Sequence, residues 1–186
     1  MKIYNSSIKK SIKFLKKNEC IGMPTETVYG LAANAYSDKA TSKIYKLKRR
    51  PKSNPLIVHY LNLKLLKKDC YLNKNFKKLY KKFCPGPLTF ILKIRKNCNI
   101  SNNVTNSKNT LAVRFPKHPI TRTLLRKIKF PLAAPSANIS KSISPVTKGD
   151  VLEEFGKKIL HVIDGGQSKI GIESTIIDLV GKPKIV

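Results

Sequence analysis

The sequence predicts a protein of the α+β class, with mixed α/β structure arranged in one layered domain. Predicted helices and strands interleave along the whole chain, without a repeat or a linker between them. The length of 186 residues fits one domain that buries a core without disulfide or metal support. Hydrophobic residues make up 41% of the chain, with seven Tyr and seven Phe, which is typical of a globular rather than a disordered protein.

The chain opens with a predicted amphipathic helix, and residues 20–23 then predict a short strand that leads into a turn. Ser6 or Ser7 is a suitable residue to cap the helix. The lysines of this helix point outward, whereas apolar residues recur at helical spacing and form the face expected to be buried. These residues are Ile8, Ile12 and Leu15.

The second predicted helix ends in a basic corner. Ser37 and Asp38 favour its start, and Pro51 ends it because the residue before a proline is pushed toward extended geometry. Lys48 and Arg50 are therefore expected in or beside an extended segment, where residues two apart point to the same side. Two cations that face one spot suit a polyanion such as a triphosphate. A solvated corner of a lysine-rich chain is the alternative.

Apolar runs and helical periodicity predict the remaining elements. Residues 97–109 are polar and rich in Asn and Ser, which predicts an exposed and mobile loop. Short apolar runs predict strands at residues 55–60, 88–94, 110–115, 131–134, 159–163 and 174–180. Apolar residues at helical spacing predict helices over residues 76–83, 120–128 and 151–155.

Charge and cysteine usage narrow the class of protein. The chain has 38 Lys and Arg against 10 Asp and Glu, and its net charge of +28 attracts nucleotides, nucleic acids or anionic membranes. The four cysteines and three histidines lack metal-ligand spacing, so we expect no structural zinc site and a reducing compartment. No apolar run approaches the length of a membrane span. We therefore expect a soluble, cytoplasmic protein that does not enter a membrane.

A second polar pair follows Pro135. Ser136 and Asn138 are two residues apart, so their side chains share a side if this turn is extended. A hydroxyl and an amide in that arrangement bind phosphate or ribose oxygens without adding charge. The alternative is a local turn in which Ser136 and Asn138 satisfy their own backbone.

Seven motifs occur in an order and at a spacing that resembles the YrdC/Sua5 family, and the similarity covers about residues 22–179. They are PTETVYGL at residues 24–31, K-x-R-P-x-x-N-P-L-I-V-H at 48–59, PGPLTFIL at 85–92, LAVRFPKHP at 111–119, APSANIS at 134–140, SP at 144–145 and G-x-EST at 171–175. The resemblance implies a YrdC-like fold. This fold is a twisted, mixed β-sheet flanked by helices, with a concave and basic cavity.

The resemblance implies an enzyme, a nucleotidyltransferase of the threonylcarbamoyl-AMP synthase type. Such a protein converts L-threonine, bicarbonate and ATP to L-threonylcarbamoyladenylate and pyrophosphate, with Mg²⁺ accompanying ATP. The product is used by threonylcarbamoyl transferase machinery that modifies adenosine 37 of tRNA. No protein nucleophile is required, because the substrate's own carbamate attacks the α-phosphorus of ATP.

The resemblance also assigns roles to individual residues, and it assigns no protein ligand to Mg²⁺. The K-x-R and S-x-N positions line the family's nucleotide cavity and carry catalytic and ATP-binding roles; they fall on Lys48, Arg50, Ser136 and Asn138. Further ATP contacts fall on Asn54, Thr110 and Ser144. The positions that hold L-threonine fall on Thr27, His59, Arg114, the main chain of Ala134, and Ser174. A guanidinium such as that of Arg114 suits the α-carboxylate of threonine.

The last residues depart from the family pattern. Family members continue past the final strand with a segment like L-R-P-G, whose arginine contacts ATP, whereas this sequence ends in KPKIV. Residues 1–186 are therefore expected to be a single YrdC-like domain, truncated or minimal, without the additional domain of the longer Sua5 type. Nucleotide affinity is the property that this difference affects.

Two other functions are compatible with parts of the sequence. The charge of +28 also suits a non-catalytic module that binds double-stranded RNA or tRNA, and such binding would weaken steeply with salt. A relative of the hydrogenase-maturation carbamoyltransferases would share the fold but would be much longer. The small-molecule positions Thr27, His59, Arg114 and Ser174 favour the synthase, because a pure RNA binder needs none of them.

Overall fold

The computed structural model describes residues 2–186, which form an eight-stranded sheet flanked by helices. The helices are α1 (Lys2–Lys16), α2 (Asp38–Lys48), α3 (Leu63–Asp69), α4 (Lys74–Phe83), α5 (Asn102–Thr105), α6 (Pro119–Lys127) and α7 (Lys148–Phe155), followed by a 3-10 turn at Gly156–Lys158. The strands are β1 (Ile21–Met23), β2 (Gly30–Asn34), β3 (Ile57–His59), β4 (Leu88–Lys93), β5 (Thr110–Arg114), β6 (Leu132–Ala133), β7 (Thr175–Asp178) and β8 (Lys184–Ile185). None of the helices within residues 2–186 is both long and apolar enough to cross a membrane.

The sheet is mixed, as the sequence predicts, with the strand order β1-β2-β6-β3-β5-β4-β7-β8. Strand β3 runs parallel to β5 and β4 runs parallel to β7, whereas the other neighbours are antiparallel. His59 on β3 and Thr89 on β4 both lie opposite Arg114 on β5. This register places His59, Thr89 and Arg114 on one face at adjacent positions.

Two apolar clusters cover the opposite faces of the sheet. Leu132 and Ala133 are consecutive on β6 and so point to opposite faces, and they belong to different clusters. The smaller cluster joins the Leu132 face to helices α1 and α6, and it buries Ile8 and Leu15 of the predicted first helix. Ala134 lies on that same face and lines the cavity described below. The cavity is therefore on the face of the sheet that carries α1 and α6.

Helix α1 begins before the capping serines that the sequence suggests. It runs from Lys2, so Ser6 and Ser7 lie inside the helix. The Ser7 hydroxyl instead forms a hydrogen bond of 3.1 Å with Nε2 of His161. Residues 159–163 are not the predicted strand, because their backbone pairing with the sheet is a single isolated bridge from Val162 to Gly22.

Helix α2 ends earlier than the proline rule predicts. Its start is confirmed, since the Ser37 side chain accepts a hydrogen bond from the Ala40 N–H. At its end Arg49 adopts a left-handed conformation with φ 50°, and the Arg50 N–H reaches back to the Tyr45 carbonyl at 3.0 Å. This pattern closes a helix through the main chain. Lys48 and Arg50 were expected in or beside an extended segment with their side chains facing one spot. This is wrong, because Lys48 is the last helical residue and only Arg50 lines the cavity described below.

Residues 97–109 are partly folded, and the prediction of an exposed loop is wrong for their centre. Ser101 caps α5, and the buried side chain of Val104 packs into the larger core. The Ser101 hydroxyl also bonds to Asp38 and lies 3.0 Å from the Thr41 hydroxyl on α2. A polar segment is buried here because its hydroxyls pair with those of the neighbouring helix.

Candidate functional site

One small cavity opens on the face of the sheet that carries His59 and Arg114. Its walls come from the ends of β3, β5 and β6, from the turn that precedes β2, and from the segment that precedes β7. Its volume is about 80 Å³, which suits a small polar molecule. Seven of the predicted site residues line it: Thr27, Arg50, His59, Arg114, Ala134, Ser136 and Ser174.

Arg114 is the buried cation of this cavity. Its guanidinium donates to Glu26 Oε1 at 2.8 Å, to Thr27 Oγ1 at 2.8 Å and to the Gly86 carbonyl at 3.4 Å. A guanidinium has five N–H donors, so these partners leave two donors for a ligand. Glu26 also accepts from the Lys117 N–H at 2.9 Å, which fixes its carboxylate. Arg114 is thus held in place while it retains the ability to bind a carboxylate.

The turn before β2 presents hydroxyl groups to Arg114. Thr25 Oγ1 lies 2.9 Å from Thr27 Oγ1, donates to the Val28 carbonyl and accepts from the N–H groups of Thr27 and Val28. Both threonine side chains are buried. A turn tied by its own hydroxyl in this way keeps Thr27 in a fixed orientation.

His59 is a buried, neutral imidazole. Burial, together with the charge of Arg114, lowers the pKa of His59 to about 3. One ring nitrogen bonds to the main chain of Ala134, and Nδ1 has no partner among the described residues. Because an unpartnered buried polar atom is costly, Nδ1 is suited to bind a ligand in the cavity that it lines.

Lys48 supports the S-x-N loop from below instead of lining the cavity. Its side chain is 1% exposed, and Nζ donates to the Ser136 carbonyl at 2.6 Å, the Asn138 carbonyl at 2.5 Å and Asn138 Oδ1 at 3.1 Å. An ammonium has three N–H donors, and these contacts use all of them. Burial and the neighbouring Arg50 charge lower the pKa of Lys48 to about 8, so it remains charged at neutral pH.

The remaining predicted nucleotide residues lie around the cavity and not all within it. Ser136 lines it, but Asn138 turns away and lines a neighbouring groove that also holds Ser144. The expectation that Ser136 and Asn138 share a side is therefore wrong, because Asn138 bonds to Lys48 and to the Ser142 carbonyl. Ser144 donates to Glu173 Oε1 at 3.0 Å, which links the two spaces.

Arg50 lines the cavity with its guanidinium held by its own loop. The guanidinium donates to the main-chain carbonyls of Asn54 and Pro55, each at 3.1 Å. Asn54 therefore contacts Arg50 through its main chain and not through its side chain. Thr110 begins β5 and shares a face with Arg114, at a distance of about 13 Å along the strand. Arg50 is therefore within the cavity, whereas Asn54 and Thr110 lie outside its lining.

Three residues of the site carry no sequence assignment. Glu26 holds Arg114, Glu173 lines the cavity beside Ser174, and Thr89 lies 2.7 Å from the Ser174 hydroxyl. Glu26 and Glu173 are two of only ten acidic residues, and both lie inside the motifs. These two features could have identified them as site residues from the sequence. Thr89 also lies inside a motif, PGPLTFIL, but the residue type does not distinguish it, because one threonine in an apolar strand is typical of any sheet.

The described residues offer no ready-made metal cage. Within residues 2–186, no three His, Cys, Asp or Glu side chains converge in a geometry that holds a metal ion. Mg²⁺ commonly binds through substrate phosphates and water with one or two carboxylates, so it fits this site only together with a nucleotide. Glu173 is the carboxylate that lines the cavity, and it could contribute an oxygen ligand to such an ion.

An open mixed sheet with fixed cations, a neutral imidazole and hydroxyls around one cavity defines an α+β protein with a small polar cavity in a YrdC-like fold. The family model for Sua5, YciO and YrdC proteins, described as telomere recombination, matches residues 13–186. The chain belongs to this family, which confirms the prediction from motif order.

Two curated relatives that share one name are similar to this chain over most of its length. The threonylcarbamoyl-AMP synthase of Pyrococcus abyssi is 42% identical, across 93% of this chain and 51% of that protein. The Bacillus subtilis protein of that name is 41% identical, across 91% and 49%. The crystal structure of P. abyssi Sua5 with L-threonine superposes with a TM-score of 0.92 at 39% identity, covering 96% of this chain and 52% of that one. The chain spans about half the length of the curated relatives it matches.

Proposed function

We propose that this chain is a threonylcarbamoyl-AMP synthase, a nucleotidyltransferase that makes L-threonylcarbamoyladenylate and pyrophosphate from L-threonine, bicarbonate and ATP. One observation supports this most strongly. All five residues assigned to L-threonine line a single cavity, and Arg50 and Ser136 of the nucleotide motifs line the same cavity. The order of the motifs in the sequence does not require this convergence, since β3, β5 and β6 bring the residues together from distant positions.

The amino-acid half of the cavity matches the groups of L-threonine. The two remaining donors of Arg114 would bind the α-carboxylate in a fork. Nδ1 of neutral His59 would accept a hydrogen bond from the substrate hydroxyl, because its other ring nitrogen bonds to Ala134. Since His59 does not charge at neutral pH, it adds no second cation beside Arg114.

The nucleotide half would act by positioning and by stabilising charge. The threonine amine reacts with bicarbonate to give a carbamate and water, or with carbon dioxide to give a carbamate and a proton. A carbamate oxygen then forms a bond to the α-phosphorus of ATP while the bond to pyrophosphate breaks. Arg50 would stabilise the phosphate charge, and Lys48 would hold the loop that presents Ser136. Mg²⁺, when bound with ATP, would neutralise phosphate charge.

Outside the cavity, Asn54, Thr110, Asn138 and Ser144 are proposed to contact the rest of the nucleotide. Thr110 lies along the strand from Arg114, and Asn138 and Ser144 line the adjoining groove. ATP is larger than the cavity, so most of it must lie over these flanking residues. We place the product in the cytoplasm as the substrate of threonylcarbamoyl transferase machinery that acts on tRNA.

The test is pyrophosphate release from ATP by the full chain, with L-threonine and bicarbonate omitted in turn, together with the mass of the nucleotide product. We expect release to require both co-substrates and the product to be threonylcarbamoyl-AMP. Arg50→Ala should abolish release, whereas Arg126→Ala removes an exposed arginine of α6 outside the cavity lining and should not. Release that is independent of L-threonine would contradict the proposal.

Direct RNA binding is a second candidate, and the charge of +28 supports it. Helix α4 alone exposes five lysines to solvent: Lys74, Lys77, Lys78, Lys81 and Lys82. Contacts of this kind neutralise phosphates without reading sequence. Binding to double-stranded RNA that is unchanged between low and moderate salt would contradict this candidate.

A further inference from the structure

Thr89 and Ser174 form a hydroxyl pair at the floor of the cavity. Their Oγ atoms are 2.7 Å apart, Thr89 is fully buried, and Ser174 is half-buried and lines the cavity. Thr89 lies on β4, opposite Arg114 on β5 and beside Ile176 on β7. It therefore occupies a rigid central position of the sheet, directly next to the cation that is proposed to bind the substrate carboxylate.

Ser174 needs such an anchor because the chain before it is exposed. Gly171, Ile172 and Glu173 lead into β7, and all three are exposed to solvent. The Ser174 hydroxyl has Thr89 as its hydrogen-bond partner within residues 2–186. Without this contact, the side chain would rotate among its staggered conformers at the edge of the cavity.

The burial of Thr89 decides the direction of the hydrogen bond. A hydroxyl has one donor, and a buried donor without an acceptor is costly. The acceptor that Thr89 has in the described structure is Ser174 Oγ, so Thr89 donates. The Ser174 O–H then keeps its own proton, which is directed to a ligand in the cavity.

We infer that Thr89 is a positioning residue, which orients Ser174 as a hydrogen-bond donor to an anionic oxygen of the amino-acid substrate. The inference rests on the proposed function and adds to it the chemical role of Ser174, which is donation to the carboxylate or the carbamate. Arg114 supplies charge to that oxygen, and Ser174 supplies a directed O–H.

The test compares L-threonine binding by calorimetry and the separate KM values for L-threonine and ATP in the unaltered full chain and five variants. Thr89→Val removes the hydroxyl at nearly constant shape, and Thr89→Ser restores it. The matched control is Thr41→Val, because Thr41 is also a buried hydroxyl paired with a serine, Ser101 at 3.0 Å, but it lies outside the cavity lining.

We expect Thr89→Val to weaken L-threonine binding about tenfold, to leave the KM for ATP within about twofold, and to be rescued by Thr89→Ser. Thr41→Val should bind L-threonine like the unaltered chain. Ser174→Ala combined with Thr89→Val should be no weaker than Ser174→Ala alone, because Thr89 acts through Ser174. If the valine variant does not fold, Thr89→Ala takes its place in the same comparisons.

Three results would overturn the inference. They are L-threonine binding by Thr89→Val equal to that of the unaltered chain, an equal loss for ATP and L-threonine, or additive losses in the double variant. Each of these leaves the proposed function standing, because the unaltered chain still binds L-threonine. Failure of the unaltered chain to bind L-threonine overturns the proposed function itself, and the inference with it.

Discussion

Replacing Glu26 with Gln tests whether the buried ion pair with Arg114 holds the cavity together. Glu26 Oε1 lies 2.8 Å from the Arg114 guanidinium, and the two side chains are only 11% and 5% exposed. The change removes one charge at nearly constant volume. It also replaces one carboxylate oxygen by an N–H₂ group, whereas Oε2 now accepts from the Lys117 N–H.

The expected loss of stability follows from burial. Removing one partner of a buried pair costs about 3–5 kcal/mol, because the other charge is left buried and unpaired. Glutamine retains one oxygen as an acceptor for Arg114, so we expect a loss of about 2–4 kcal/mol in the free energy of unfolding. For a chain of this size, that corresponds to a decrease in Tm of roughly 5–15 °C.

The chain contains a matched control in the pair of Glu19 and Lys43. Their charged atoms are 2.6 Å apart, closer than those of Glu26 and Arg114, but the side chains are 31% and 32% exposed. Glu19→Gln makes the same chemical change in a solvated pair, which is worth about 0–1 kcal/mol and is screened by salt. The two variants therefore differ mainly in burial.

The measurement is urea unfolding followed by circular dichroism, at low and at high salt. Glu26→Gln should lower the midpoint without changing the slope, and salt should not remove the difference. Glu19→Gln should have a small effect that disappears at high salt. Equal losses in the two variants would refute the argument that burial makes the Arg114 pair important.

Three further predictions concern Lys48 and His59. Lys48→Met removes the N–H donors to the Ser136 and Asn138 carbonyls. The KM for ATP should then rise more than about tenfold. An unchanged KM for ATP would contradict the role of Lys48 in supporting the S-x-N loop. Burial lowers the pKa of Lys48 to about 8, so the ammonium loses its proton as pH rises through that value. ATP affinity should fall above about pH 8, and Lys48→Arg, which stays charged, should abolish this dependence. The pKa of His59 is lowered to about 3, so L-threonine affinity should show no titration between about pH 5 and pH 8 by calorimetry.

The five residues that the resemblance assigns to L-threonine line one cavity. The motif residues His59 and Arg114 end two parallel strands, and the sheet register brings them side by side. Motif order points to these two strand ends, and the parallel pairing of β3 with β5 places both ends at one edge of the sheet. The predicted family and fold are therefore confirmed, whereas the individual roles of the residues stay predictions.

The expected orientations of the Lys48 and Asn138 side chains were wrong for a local reason. Both were based on side chains two apart in an extended chain, but a left-handed Arg49 ends α2 before any extended segment begins. Lys48 is then buried, and it draws the S-x-N loop toward itself with its three donors. A glycine after a helix signals a left-handed residue that ends it, but an arginine at this position gives no such signal in the sequence.

The contacts of Glu26 and Thr89 could not be predicted for a different reason. Each is a pair between strands or turns that are distant in sequence, with Glu26 reaching Arg114 and Thr89 reaching Ser174. Periodicity and capping rules describe neighbours along the chain. Such long-range pairs become visible only when the register of the sheet is known.

The most direct test of the central claim is the mass of the adenylate formed from ATP, L-threonine and carbon-13 bicarbonate. We predict threonylcarbamoyl-AMP that is heavier by one neutron than the product from ordinary bicarbonate, formed together with one pyrophosphate per adenylate. This result would show that the cavity joins all three substrates. An adenylate without the heavy carbon, or ATP hydrolysis without any adenylate, would contradict the claim.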